Sequence, residues 1–278
     1  MALLKKEGNL MKENVAMWKY TQMISFFILS TALYAVFLWI FAQLPLWIIP
    51  GITSLRPANA VPIVCSLLFG PAASWGTAFG NLIGYDLMSG ALTIGSIGGF
   101  IGNFVMGLLP YYTWRRIFKE PPHCKTVSSL AKFELTNLLH ASACGFIIAY
   151  WLELVGFLPF APLSFIITFN NFLHAAIISP FLIALFYDRA VKAGWLWSDI
   201  MKGYTYAPTK VKSYHRIGYA LVILGGIIGN FVCIGLGLGL GQTLFFGPGL
   251  KFVGSPLLAT GAVFLLIMLV GTVMLARD

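Results

Sequence analysis

Apolar runs alternate along the chain with short polar breaks marked by glycine and proline. A helix that crosses a bilayer needs about 20 mainly apolar residues. On that template the pattern predicts eight helices, at about 21–41, 57–69, 72–87, 94–114, 128–152, 163–187, 217–240 and 256–275. Pro45 and Pro50-Gly51 follow the first, and Gly70-Pro71 separates the second from the third, as breakers should. The second run is short. Its dozen or so residues reach about 20 Å, against a hydrocarbon core of about 30 Å. A short tilted pair and a re-entrant segment both remain open, and such broken, Pro-flanked pairs accompany binding sites in transporters.

Composition supports an all-α polytopic membrane protein. Of 278 residues 59% are hydrophobic and only 10% charged, where soluble domains carry about 25% charged residues. Mean hydropathy is +0.85. The formal charge of +9 changes the picture through its placement. Sixteen of the eighteen Lys and Arg fall before helix 1, between helices 4 and 5 or at the start of helix 5, between helices 6 and 7, or after helix 8. Only Arg56 and Lys251 fall on the other side. The positive-inside rule then predicts that both termini are cytoplasmic and that the protein sits in the cell membrane. No basic stripe interleaved with aromatics points to nucleic acid. Cys65, Cys124, Cys144 and Cys233 stand singly, without metal-ligand spacing, and three of them read as small buried hydrophobes.

The expected organisation is a cytoplasmic N-terminus, 1–20, and a six-helix core, 21–190. A basic aromatic linker, 191–216, and a two-helix hairpin, 217–278, follow. The linker carries Trp195, Trp197, Tyr204, Tyr206 and Pro208 among its lysines, and its aromatics are expected at headgroup level. No internal repeat is evident.

Polar groups inside a membrane are costly and so face the protein interior or a cavity. Asn81 and Asp86 fall on helix 3, and Asn103 on helix 4. Glu134, Asn137 and His140 recur every third residue of helix 5, near one face. Asn170 and His174 are four apart on helix 6, with Asn171 beside them. Amides and imidazoles both donate and accept, which suits a neutral or zwitterionic heterocycle with a polar edge. Each group also has a structural reading. The asparagines serve as interhelical bridges, the histidines as satisfied core groups, and Asp86 as a cap on the reversal near Ser89-Gly90. Glu134 reads as an interfacial partner of Lys132. Arg56 either neutralises a substrate carboxylate or phosphate or anchors to lipid headgroups. Gly76, Gly80 and Gly84 clear one stripe of helix 3 for close approach of another helix, within the chain or from another subunit.

Several short motifs form a pattern. They are Thr31-Ala32-Leu33-Tyr34-Ala35, Arg56-Pro57-Ala58-Asn59-Ala60, Phe69-Gly70-Pro71, Gly80-Asn81-Leu82-Ile83-Gly84, and the run Gly95-Ser96-Ile97-Gly98-Gly99-Phe100-Ile101-Gly102-Asn103-Phe104. With them the chain, over roughly residues 20–190, resembles the substrate-binding (S) components of energy-coupling factor transporters. It departs from that pattern in two places. Tyr85 separates Gly84 from the acid Asp86, and helices 7 and 8 exceed the usual six. The resemblance implies uptake of a vitamin or related micronutrient, captured near the outer ends of the helices. It also implies docking on a transmembrane coupling subunit that works with two cytoplasmic ATPases. Small residues of helix 1, here Thr31, Ala32 and Ala35, would face the coupling subunit. With it, Arg56, Asn59, Asn81, Asp86, Asn103, Asn137, His140, Asn170, Asn171 and His174 become the candidate substrate-binding residues. Thr31, Ala32, Ala35, Gly76, Gly80 and Gly84 become the candidate docking residues.

No enzyme is expected. The run Gly235 to Gly241 lacks the preceding strand and following acid of a nucleotide fingerprint. No Walker A motif or catalytic triad occurs, and no cofactor or resident metal is implied. Two other readings remain. One is a membrane sensor input module, which at Asp278 has no attached output domain. The other is a stand-alone secondary transporter, which calls for an inverted repeat and an ion site.

Overall fold

The computed structural model describes residues 10–43, 47–49, 53–54, 56–88, 90, 92–201, 211–239 and 255–277. Lys5, Lys6, Pro45, Pro50-Gly51, Leu55, Ser89, Lys202, Tyr204, Tyr206, Pro208, Lys210, Leu240-Gly241, Lys251 and Asp278 lie outside the described residues.

Helix α1, Leu10–Ala16, and a 3₁₀ turn, Met17–Lys19, precede α2, Thr21–Gln43. A second 3₁₀ turn, Pro57–Ala60, runs into α3, Val61–Phe69. Then α4, Pro71–Asn81, continues through a π-turn, Leu82–Leu87. Helices α5, Gly95–Ile117, α6, Val127–Leu154, and α7, Phe160–Ala193, complete the front part. After the short α8, Trp197–Ile200, the chain forms α9, Ser213–Ile223. A π-turn, Leu224–Ile228, leads into α10, Gly229–Gly237, and the last helix is α11, Ser255–Ala276. The fold is an all-α polytopic membrane bundle. One small addition to the all-helical expectation is an antiparallel pair after α2, β1 (Trp47–Ile49) with β2 (Thr53–Ser54).

The chain runs between the two ends of the bundle eight times, through α2, α3, α4, α5, α6, α7, α9–α10 and α11. Five of these passages are long and apolar enough to cross a membrane, among them Thr21–Gln43, Val127–Leu154 and Pro256–Ala276. Helix α5 has the length, 23 residues, but its glycines and polar groups dilute its hydropathy. Helices α3 and α4 are short because Gly70 breaks them. Gly70 has φ +50°, and a Cβ there would lie 2.7 Å from Trp197 Cγ, so the turn needs glycine twice over. Buried on nearly every side, α3 is shielded from lipid and does not need a full hydrocarbon-length run. Helix α7, at 34 residues, is about 51 Å long and outlasts the hydrocarbon core. It ends at Gly194 with φ +67°, the left-handed position glycine favours at a helix C-terminus.

The glycine stripe fixes how α2 meets α4. A Cβ on Gly76 would lie 2.5 Å from Ser30 Cβ, on Gly80 2.9 Å from Tyr34 Cβ, and on Gly84 2.5 Å from the Ala35 carbonyl oxygen. Contacts advance together along both helices, so α2 and α4 run parallel, with α3 returning between them. Four of the residues expected to dock another subunit are occupied by this seam. Gly76, Gly80 and Gly84 are covered by α2, and Ala35 is buried in the same seam. Thr31 contributes its backbone to that seam and is half-buried, while Ala32 stays on the exposed face of α2.

Basic residues gather at the end where α1 and α8 pack. Glu13 of α1 pairs with Arg115 of α5, both buried, and the Arg115 guanidinium lies 4.8 Å over the Trp197 ring. Asn14 Nδ2 donates to the hydroxyls of Tyr111 (2.8 Å) and Tyr112 (3.1 Å). Trp197 is therefore a buried plug and not a headgroup anchor, whereas Trp195 is exposed. Lys132 pairs with Glu120, not with Glu134; its ammonium holds the Glu120 carboxyl below the usual range.

The tail pair lies against α5, α6 and α7. Gly218, Gly225 and Gly229 let α9–α10 close on α11, where their Cβ positions would fall within 2.8 Å of Met274, Met268 and Phe264. Asn230 then ties the pair to the core. It accepts from Ser164 Oγ (2.6 Å) and donates to Thr168 Oγ1 (3.0 Å) and the Ser142 carbonyl (3.3 Å). Replacing Asn230 by Leu is expected to cost about 1–2 kcal/mol, seen as a lower melting temperature in detergent. An unchanged melting temperature would show that apolar packing alone holds the tail.

Candidate functional site

At the end of the bundle away from the basic cluster, a cavity of about 310 Å³ opens between the 3₁₀ turn before α3 and helices α2, α4, α5, α6 and α7. One wall is polar. Tyr34 donates its hydroxyl toward Asn59 Oδ1 (3.3 Å) and Asn103 Oδ1 (3.1 Å). Asn103 Nδ2 in turn donates to the Gly99 carbonyl at 2.8 Å, and its own carbonyl accepts from Thr77 Oγ1 at 2.8 Å. These bonds lock the Tyr34–Asn59–Asn103 trio across three elements of the chain. The opposite wall is aliphatic, from Ile148, Leu152, Leu163, Ile166 and Ile167. A polar edge facing an apolar slab suits a flat molecule with heteroatoms on its rim.

The π-turn brings Asp86 into this wall. In an α-helix, residues five apart diverge by more than a third of a turn. The i→i+5 bonding of a π-turn brings such residues nearly into line, so Asn81 and Asp86 share one side of α4. Both converge on Gly99. A Cβ there would lie 3.1 Å from Asn81 Nδ2 and 3.8 Å from Asp86 Oδ2. Arg56 completes the rim, its guanidinium 4.8 Å over the Tyr85 ring.

Seven of the sequence-derived candidates line the cavity: Arg56, Asn59, Asn81, Asp86, Asn103, Asn170 and Asn171. Three do not. Asn137 Nδ2 donates to Glu134 Oε2 and to the Phe172 carbonyl, both at 3.1 Å. His140 meets the Met106 carbonyl through Nδ1 (3.2 Å) and Asn137 Oδ1 through Nε2 (3.0 Å). His174 Nδ1 donates to the Asn170 carbonyl of its own helix at 2.8 Å. These three lie about one helical turn deeper than the cavity floor, where Asn137 and His140 join α5, α6 and α7 and the His174 bond stays within α7. The sequence reading missed Tyr34, Tyr85, Thr93 and Ser96 as lining groups. Tyr34 and Ser96 stand inside motifs already singled out, but nothing in their spacing separates a lining side chain from a packed one.

A larger hollow, about 870 Å³, lies on the side of the bundle between α2, α3 and α7, lined by residues such as Leu33, Phe37, Val64, Leu68 and Phe186. Its walls offer almost nothing to orient a polar molecule. It is a lateral apolar groove. Among the described residues no group of three His, Cys, Asp or Glu stands where it could share a metal ion.

A family model described as QueT transporter matches residues 25–188, which run from within α2 to within α7. No curated protein sequence and no solved structure matches the chain.

Proposed function

The chain belongs to the QueT transporter family, S components of energy-coupling factor transporters and not enzymes, and from that premise we propose that it captures a queuosine precursor in the amide-walled cavity for ATP-driven uptake. The observation that carries this reading is the cavity itself. Eleven polar side chains from distant parts of the chain converge on about 310 Å³ at one end of a membrane bundle. Tyr34, Asn59 and Asn103 present a fixed polar edge, Asn81 and Asp86 a second, and the aliphatic wall takes the ring face. Arg56 over Tyr85 stands at the rim, where a small shift opens or covers the mouth.

Charge supports the orientation. Arg115, Arg116, Lys125, Lys132, Arg189, Lys212, Arg216 and Arg277 belong to the end away from the cavity. The positive-inside rule assigns that end, and both termini with it, to the cytoplasm; the cavity then faces outward, in the cell membrane. The partners are a transmembrane coupling subunit and two cytoplasmic ATPases, with Ala32 on the exposed face of α2 as a point of docking. Coexpression with those subunits is expected to yield a stable complex and ATP-dependent accumulation of the precursor in membrane vesicles. Absence of both a complex and ATP-dependent uptake rejects the importer reading. Uptake driven by an ion gradient without ATP would favour a stand-alone transporter instead.

A further inference from the structure

Among the described residues Asp86 is the one acid of the cavity lining, and no cation there pairs with it. The residue is 7% exposed. Among the described residues the Ser96 hydroxyl is set against its carboxylate, while Oδ2 is buried with no hydrogen-bond partner. The nearby cation does not serve it. Arg56 lies over the face of Tyr85, and no ion pair joins it to Asp86 among the described residues. A lone carboxylate held away from water is costly unless something pairs with it.

The space in front of the carboxylate is kept open. Gly99 has no side chain to fill the spot on which Asn81 Nδ2 and Asp86 Oδ2 converge, so a ring resting there meets an amide and a carboxylate on the same edge. Apart from Arg56, which lies over Tyr85 and forms no ion pair with Asp86 among the described residues, the other polar groups of the lining are amides and hydroxyls.

We propose that Asp86 is the counter-ion for a protonated amine on the transported molecule, so that the cavity selects cationic over neutral heterocycles of the same shape. This rests on the small-molecule reading of the cavity given above. Asn81 orients the same edge of the ligand, and Tyr34, Asn59 and Asn103 read the rest of its rim.

The test uses full-length protein in lipid nanodiscs at pH 7 and two probes. One is a queuosine-precursor base carrying a primary amine; the other is the same ring with a neutral nitrile or hydroxyl in place of the amine. Wild type is expected to prefer the amine by on the order of 10- to 100-fold. In Asp86→Asn that preference should fall to within about threefold, with an unchanged melting temperature reporting that the variant is folded. Equal binding of both probes by wild type overturns the counter-ion role and leaves the importer reading standing; that comparison needs no variant. A preference retained in a folded Asp86→Asn overturns it as well. Binding of neither probe overturns both readings together.

Discussion

Glu13→Ala is expected to destabilise the bundle by about 3–5 kcal/mol, the usual cost of removing one partner of a buried ion pair. Glu13 is fully buried against Arg115, which is itself only 3% exposed. The guanidinium is roofed by Trp197 at 4.8 Å, and Trp197 in turn occupies the space that a side chain on Gly70 would need. Asn14, next in α1, holds both Tyr111 and Tyr112, and Trp75 Nε1 donates to its carbonyl at 3.0 Å. Loss of the carboxylate therefore takes this counter-charge from the buried Arg115 guanidinium and loosens α1, α4, α5 and α8 at once. Glu13→Gln, which keeps an acceptor, should cost roughly half as much. A Glu13→Leu/Arg115→Met pair should recover much of the loss, because no charge is then left buried. Thermal unfolding in detergent reads all three variants. A melting temperature for Glu13→Ala equal to wild type would mean that α1 lies loosely on the bundle.

Lipid made most of this fold readable. A spanning helix must satisfy its backbone internally and present apolar side chains throughout, so the eight runs stand out and the observed helices overlap each of them. What stayed hidden was short or polar. The seven residues of α1 contain lysine, glutamate and asparagine and read as a solvated tail, yet Glu13, Asn14 and Met17 are buried. The burial of Trp197 depends on the Gly194 turn, which folds α8 back under the bundle end, and no local pattern announces that.

The cavity was readable for a related reason. Polar groups in a membrane turn inward, which picked out Asn81, Asp86, Asn103, Asn170 and Asn171 together with Asn137, His140 and His174, while Asn59 entered through the Arg56-Pro57-Ala58-Asn59-Ala60 motif. Sequence spacing reports the face of a helix and says little about depth along a neighbour. Asn103 lines the cavity, while Met106, one turn deeper on α5, gives its carbonyl to His140. On α7, Asn170 and His174 are likewise one turn apart and fall on opposite sides of that boundary. The π-turn was invisible too. On an ideal helix Asn81 and Asp86 point apart, and only the widened turn makes them neighbours.

Gly84→Val is expected to separate α2 from the end of α4 and to abolish high-affinity binding, whereas Ala32→Leu should do neither. A Cβ on Gly84 would lie 2.5 Å from the Ala35 oxygen and 2.6 Å from its Cα. These are backbone atoms, so no rotamer change relieves the clash and one helix must move. Overpacking of this kind costs about 1–3 kcal/mol, and a branched side chain belongs at the upper end of that range or beyond it. The displaced segments carry Tyr34 on one side and Asp86 on the other, so the same movement widens the cavity and parts its two polar edges. Affinity should fall by an order of magnitude or more, along with the melting temperature. Ala32 is exposed on the far side of α2. A leucine there meets only lipid or a partner, so stability and ligand affinity should hold while recovery of the complex with the coupling subunit falls. Normal stability and affinity in Gly84→Val, with loss of the complex, would return the glycine stripe to a docking role and overturn the parallel α2–α4 seam. The expected opposite pattern separates small residues that let the chain's own helices touch from those that stay on its exposed face.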